Sequence, residues 1–260
     1  DRSTGQSVFL DFEGRLSARP DGNAITSAGG VTIQSLRAVL PGVQADTMTV
    51  TDAQIDYDVR ADLAAGRLDL SALTVQTAPL TLSSTGTVSR LNARPALDLT
   101  VEATEADLAQ LAAFAPAVAV EGLNPQGTLQ LNLAATGTLP EGTESLDRLS
   151  IDGGGRLAAL CVDYDGTAML RNLNANLAFS GTSASMTGID GQLLGKPLEG
   201  EITVRDPMGN AQVDGRLAGA ADLGRLTTLA AAEGEPMDLS GTAEYDVRFA
   251  GPVDNPDAIR

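Results

Sequence analysis

The sequence contains no histidine and no tryptophan, one cysteine, one lysine, three tyrosines and five phenylalanines in 260 residues. Without histidine the chain lacks the commonest general base near neutral pH, the commonest metal ligand, and any Ser-His or Cys-His nucleophile pair. A single cysteine, Cys161, excludes an intrachain disulfide and leaves the redox compartment open. Its neighbours Leu160 and Val162 mark it as a small buried hydrophobe. Aromatic rings dominate the energetics of compact cores, so their scarcity predicts thin, repetitive packing of Ala, Leu, Val and Ile. No apolar run is long enough to span a bilayer, and no signal peptide heads the sequence. The chain opens at Asp1 and stops at Arg260 in mid-pattern, which reads as a segment of a longer protein.

Positive charge is also scarce. Seventeen basic residues against 34 acidic ones give a net charge of -17. Such a surface repels phosphate backbones and has no basic patch, which argues against nucleic-acid binding. Lys196 is the only lysine. A salt-rich habitat, where self-repulsion is screened, and a GC-rich coding sequence account for that equally well.

What is abundant is alternation of apolar and polar residues, the signature of half-buried strands. It runs through Val8, Leu10 and Phe12; Met48 and Val50; Ile55, Tyr57 and Val59; and Leu68 and Leu70. The phase then slips to Leu73 and Val75, as a bulge near Ala72 would require. It resumes in Leu97, Leu99 and Val101; Leu129, Leu131 and Leu133; and Leu173, Leu177 and Phe179, set against Asn172, Asn174 and Asn176. Ile202 and Val204, then Tyr245, Val247 and Phe249, complete it. One wet and one dry face is the antiparallel habit. Turns are expected at Pro20-Asp21-Gly22-Asn23, at Pro41-Gly42 and at Asp206-Pro207-Met208-Gly209-Asn210.

Helical periodicity is confined to 105–114, closed by Pro116, and to 221–232, with a weaker stretch at Leu36 to Leu40. The two helices reveal a repeat. Ala106-Asp107-Leu108 returns as Ala221-Asp222-Leu223, 115 residues on, and Leu111 returns as Leu226. Gly127-Thr128 and Gly137 return as Gly241-Thr242 and Gly251 after 114 residues, and Gly86-Thr87-Val88 lies opposite Gly200-Glu201-Ile202. Stacked copies of a β-rich unit build a quasi-one-dimensional sheet. The expected organisation is a β segment over 1–80, a first repeat over 81–195 and a second, partial repeat over 196–260.

These repeats resemble the AsmA-like family, which includes the TamB-type envelope proteins. The likeness rests on Ser84-Thr85-Gly86-Thr87-Val88-Ser89, on Leu97-Asp98-Leu99-Thr100-Val101 and on Glu105-Ala106-Asp107-Leu108-Ala109-Gln110-Leu111. It continues in Gly127-Thr128-Leu129-Gln130-Leu131-Asn132-Leu133 and in Phe249-Ala250-Gly251-Pro252-Val253-Asp254-Asn255-Pro256. It is clearest over 80–140 and 198–256, looser over 150–195, and one of style alone over the first 75 residues. The resemblance implies a periplasmic protein of outer-membrane biogenesis, anchored in the inner membrane through parts outside this segment. It implies a long curved β-sheet whose concave apolar face conducts lipid acyl chains, with outer-membrane assembly proteins as further partners.

Motifs of catalysis are missing. Asp56-Tyr57-Asp58 and Asp163-Tyr164-Asp165 read as solvated strand edges, and Asp163-Tyr164-Asp165-Gly166 lacks the further oxygen ligands of a calcium loop. Gly191-Gln192-Leu193-Leu194-Gly195-Lys196-Pro197 is one residue short of a phosphate loop and carries Pro197 where a hydroxyl belongs, so a hairpin turn is expected. Gly153-Gly154-Gly155 reads as a bulge or sharp bend. A carboxylate hydrolase would need two carboxylates about 5–10 Å apart across a cleft, and no feature points to one.

The expectation is therefore a mainly β protein with no enzymatic activity, no cofactor and no metal. Its extended, curved antiparallel sheet, a groove built from repeats, carries two or three short helices. Leu82, Leu97, Leu99, Leu129, Leu131, Leu133, Ile202, Val204, Val247 and Phe249 are expected to line the groove, and the helices to cap it. The alternative is a structural or adhesive extracytoplasmic module with a closed core and protein partners, in which each apolar stripe is buried under a second layer. Exposed edges at both ends of the sheet would invite pairing.

Overall fold

The computed structural model describes residues 8–39, 47–77, 80–114, 123–139, 149–164, 166–206, 210–230 and 240–253. It is mainly β: among the described residues thirteen strands form one open antiparallel sheet in strict sequence order, with two short helices. The chain divides into two compact units. The first is Asp1–Glu121 with Leu129–Gly153, and the second is Gly122–Thr128 with Gly154–Arg260.

The first unit holds β1 (Val8–Asp21), β2 (Ala24–Val39), β3 (Thr47–Asp62), β4 (Arg67–Thr77), β5 (Leu80–Ser89) and β6 (Ala96–Asp107). Helix α1 (Leu108–Phe114) follows, then most of β7 (Leu123–Thr138) and the start of β8 (Leu149–Tyr164). Residues directly paired across antiparallel strands share a face, so the register sorts the side chains. Leu16, Gly29 and Tyr57 are in line, as are Ile55, Val75, Leu82 and Ala103. The opposite face carries Arg15, Gly30 and Asp56 in one row and Gln54, Gln76, Thr81 and Thr104 in another.

The bulge expected near Ala72 is present. Asp58 faces Ala72 while Val59 already faces Leu70, and Leu70 faces Gly86 while Leu73 faces Ser84. The extra residue keeps Leu68, Leu70, Leu73 and Val75 on one face despite the broken alternation. Gly86 has φ 138, and a Cβ there would strike the Asp98 carbonyl and the Leu99 Cα of β6, so only glycine fits.

The second unit contains the rest of β8, then β9 (Thr167–Ser180), β10 (Ser183–Leu193), β11 (Lys196–Arg205), β12 (Gln212–Asp222), helix α2 (Leu223–Ala230) and β13 (Thr242–Pro252). Met186, Ile202, Gly215 and Phe249 stand in line, next to Gly200, Leu217 and Val247. The other face presents Glu201, Arg216 and Arg248. The β10–β11 hairpin closes at Leu194 and Gly195, with φ 52 and 80, so the phosphate-loop look-alike is a turn as expected.

The repeat reappears in elements: β5-β6-α1-β7 is echoed by β11-β12-α2-β13. Both helices start later than the periodicity predicts. Glu105-Ala106-Asp107 belongs to β6 and Ala221-Asp222 to β12, where Ala221 pairs with Ala243 and Asp222 with Thr242. The reason is a shared cap. Asp107 Oδ1 accepts from the Gln110 N–H at 3.0 Å, and Asp222 Oδ1 accepts from the Arg225 N–H at 3.1 Å, so each aspartate ends a strand and starts a helix. The weak helix at Leu36 is corrected too: Leu36 to Val39 lie in β2, Leu36 to Ala38 paired with both β1 and β3 and Val39 with β3, and ladder pairing overrides local propensity. Gly22 with φ 62 turns β1 into β2 as expected. Leu40, Pro41-Gly42, Pro116, Asp165, 207–209, 231–232 and 254–256 lie outside the described residues.

Candidate functional site

The candidate surface is the apolar face of each unit. In the first unit Leu82, Leu97 and Leu99 share that face, since Leu82 pairs with Ala103, Val88 with Leu97 and Gly86 with Leu99. On β7, Asn132 Nδ2 donates to Glu102 Oε1 at 3.0 Å. Glu102 points to the polar face of β6, so Asn132 does the same on β7, and Leu131 and Leu133 alternate onto the apolar side. Leu129 follows at the same period. All six are half-buried.

In the second unit Ile202 and Val204 pair with Met186 and Ala184 on one side and with Gly215 and Val213 on the other. Phe249 lies across Gly215, where a Cβ would meet its ring at 2.5 Å. Val247 is 50% exposed beside Leu217. The expected residues therefore form two sets, one on the apolar face of each unit.

Among the described residues these faces have little above them. Among the described residues the buried apolar side chains are Ala24, Ala53, Ala103, Ala106, Leu157, Leu173, Ala175, Ile189, Leu194 and Leu198, and no large side chain is completely enclosed. Half of these are alanines, so the packing is shallow. Helix α1 lies against β3 and β6, at the end of the face that holds Ala53 and Ala103. Its Leu108, Leu111 and Ala112 are half-buried while Ala109 and Gln110 are exposed. Helix α2 lies against β12, and Arg225 donates to the Leu194 carbonyl at 3.1 Å.

Alternation alone did not single out the other apolar residues aligned here. Met186, Ile189, Leu198, Val213 and Leu217 join the second set through the register. Tyr245 faces Gly219; among the described residues its hydroxyl has no hydrogen-bond partner, and desolvation raises its pKa.

The polar face has its own order. Arg216 donates through Nε to Asp246 Oδ1 at 2.8 Å and through a terminal nitrogen to Oδ2 at 2.7 Å. That hydrogen-bonded pair lowers the Asp246 pKa and raises that of Arg216. A shallow depression of about 510 Å³ opens there, lined by Glu201, Thr203, Asp214, Arg216 and Arg248 among others. Asp56 accepts from Gln54 Nε2 at 2.7 Å and is exposed with Asp58, as expected of a solvated strand. Asp163 departs from that expectation: it is half-buried and pairs with Arg171 of β9 at 2.6 Å, while Tyr164 is 41% exposed. Cys161 is half-buried rather than buried.

An aliphatic surface of this kind can hold apolar chains by burial, which is non-directional and worth about 25 cal/mol per Å². Among the described residues no group of three or more His, Cys, Asp or Glu could hold a metal ion, and no helix is long and apolar enough to cross a membrane. Comparison with protein-family models, with curated proteins and with solved structures finds no match.

Proposed function

We propose that the protein is a non-enzymatic envelope component of the AsmA-like type that shields or conducts lipid acyl chains along the apolar face of its sheet. It would act in the periplasm during outer-membrane biogenesis, with the membrane anchor and outer-membrane assembly partners outside this segment. One observation carries the reading: across β1 to β6 the register collects mostly aliphatic side chains on one face and mostly polar or charged side chains on the other, while among the described residues α1 lies against β3 and β6. Apolar surface of that extent calls for a cover. Acyl chains suit it because burial gains about 0.8 kcal/mol per CH₂ without fixed geometry, so chains of different length bind and can slide.

A face-specific pair of substitutions tests this. Leu131→Asp should weaken capture of a fluorescent fatty acid by about tenfold or more with little change in unfolding temperature. Gln130→Asp, one residue away on the polar face, should leave capture unchanged. Equal effects from both, or no capture by the unmodified protein, would contradict the proposal.

A further inference from the structure

Among the described residues β13 has a neighbour on one side only, β12, and so turns a row of backbone donors and acceptors outward, a template for another strand. Edge strands are ordinarily blunted by a charge on the buried side, a proline or a bulge. The other edge, β1, has two of these devices: its ladder shifts between Asp11 and Phe12, and it carries Pro20. The register of β13 is unbroken, and its one proline, Pro252, is its last residue. Its apolar side carries Ala243, Tyr245, Val247 and Phe249, with no charge among them. Glu244, Asp246 and Arg248 on the polar side are all exposed, and Val247 is 50% exposed.

We propose that the occupant of this edge is the same edge of a second copy, β13 against β13 antiparallel, about a two-fold axis perpendicular to the sheet beside Val247. Such an axis reverses the strand direction but keeps each face on its own side, so the apolar face of one copy continues into that of the other. The charges of the strand are self-complementary about this centre. With Val247 opposite the partner's Val247, Asp246 meets the partner's Arg248 and Arg248 meets the partner's Asp246. Asp246 keeps Arg216 on its inner side at 2.7 Å, so its carboxylate stands between two guanidinium groups. On the apolar side Tyr245 meets the partner's Phe249, and Phe249 the partner's Tyr245, two aromatic cross-strand pairs. Val247 is the middle residue of Thr242–Pro252, so this register pairs the whole strand. Outward-pointing backbone groups alternate along a strand, so other registers differ by steps of two residues. One step sets Asp246 opposite the partner's Asp246, although Glu244 then reaches the partner's Arg248. The opposite step sets Arg248 against the partner's Arg248. Both shorten the ladder. The contact is isologous and closes at two copies. It is independent of what covers the apolar face.

Sedimentation velocity on the full chain across a range of concentrations tests this, in about 0.15 M salt to screen the acidic copies from each other. The unmodified chain should pass from monomer to dimer and stop there. Val247→Lys sets like charges against each other on the apolar side of the contact and should leave monomer throughout. Arg248→Asp makes both charge pairs repulsive and should raise the dimer dissociation constant about tenfold or more. Adding Asp246→Arg to it exchanges the two charges and restores both pairs. Position 248 lies opposite Arg216, so that guanidinium keeps an acidic neighbour. The double variant should return to within about threefold of the unmodified constant, which separates lost pairing from lost folding. A monomer at every concentration, growth past the dimer, association that survives Val247→Lys, or a double variant no better than Arg248→Asp would each overturn the proposal.

Discussion

Asn174 bridges two departures from regular strand geometry. Ala159 on β8 and Asn172 on β9 have φ 50 and 51, a left-handed conformation unusual for residues with a side chain. The β9–β10 register shifts beside Asn172, and at each site a backbone group needs a partner. The Asn174 side chain supplies both, accepting from the Ala159 N–H at 3.1 Å and donating to the Asn172 carbonyl at 2.9 Å. Asn174→Leu should therefore cost about 1–3 kcal/mol in chemical unfolding, whereas Asn176→Leu, at an exposed position on the same strand, should stay within about 0.5 kcal/mol. Equal costs would refute the bridging role. In the sequence, Asn172, Asn174 and Asn176 look alike, three polar residues alternating with apolar ones. Only the left-handed residues Ala159 and Asn172 separate them, and a left-handed alanine carries no mark in the sequence. Asp246 makes a pH prediction. Its pKa is lowered by the Arg216 hydrogen bonds, so its contribution to stability is present above the ordinary carboxylate range and lost as pH falls through the lowered value. Asp246→Asn should remove that acid-side slope from a series of urea midpoints, and an unchanged slope would argue against the pair.

At the scale of elements, the repeated Ala-Asp-Leu is a strand end, a cap and a helix start compressed into three residues. Removing the caps singly, Asp107→Ala or Asp222→Ala, should cost about 1 kcal/mol each, and because the caps belong to different units the costs should add. A non-additive double variant would mean that the two helices are coupled. The strands were readable because a period of two assigns both strand and face at once. The slip between Leu70 and Leu73 even located a bulge, since the apolar residues on either side had to stay in phase. The helix starts were misplaced by two or three residues because Glu105 and Ala106 have good helical character while the ladder and the aspartate cap hold them in the strand. Leu36 to Ala38 depart from expectation for the same reason, since pairing on two sides is invisible locally.

For the molecule as a whole, alternation identifies which residues share a face but not whether a second layer covers them. Leu97, Leu99 and Leu131 would alternate identically in a closed sandwich and in an open sheet. The described structure has an open sheet, short helices and few buried large side chains, and that is why a ligand for the apolar face is proposed. The most direct test is native mass spectrometry of the purified chain, followed by organic extraction of whatever is released. The account predicts phospholipid or fatty acid bound at near-stoichiometric amounts and exchangeable with added lipid. A clean apo mass, unchanged after incubation with lipid, would contradict it.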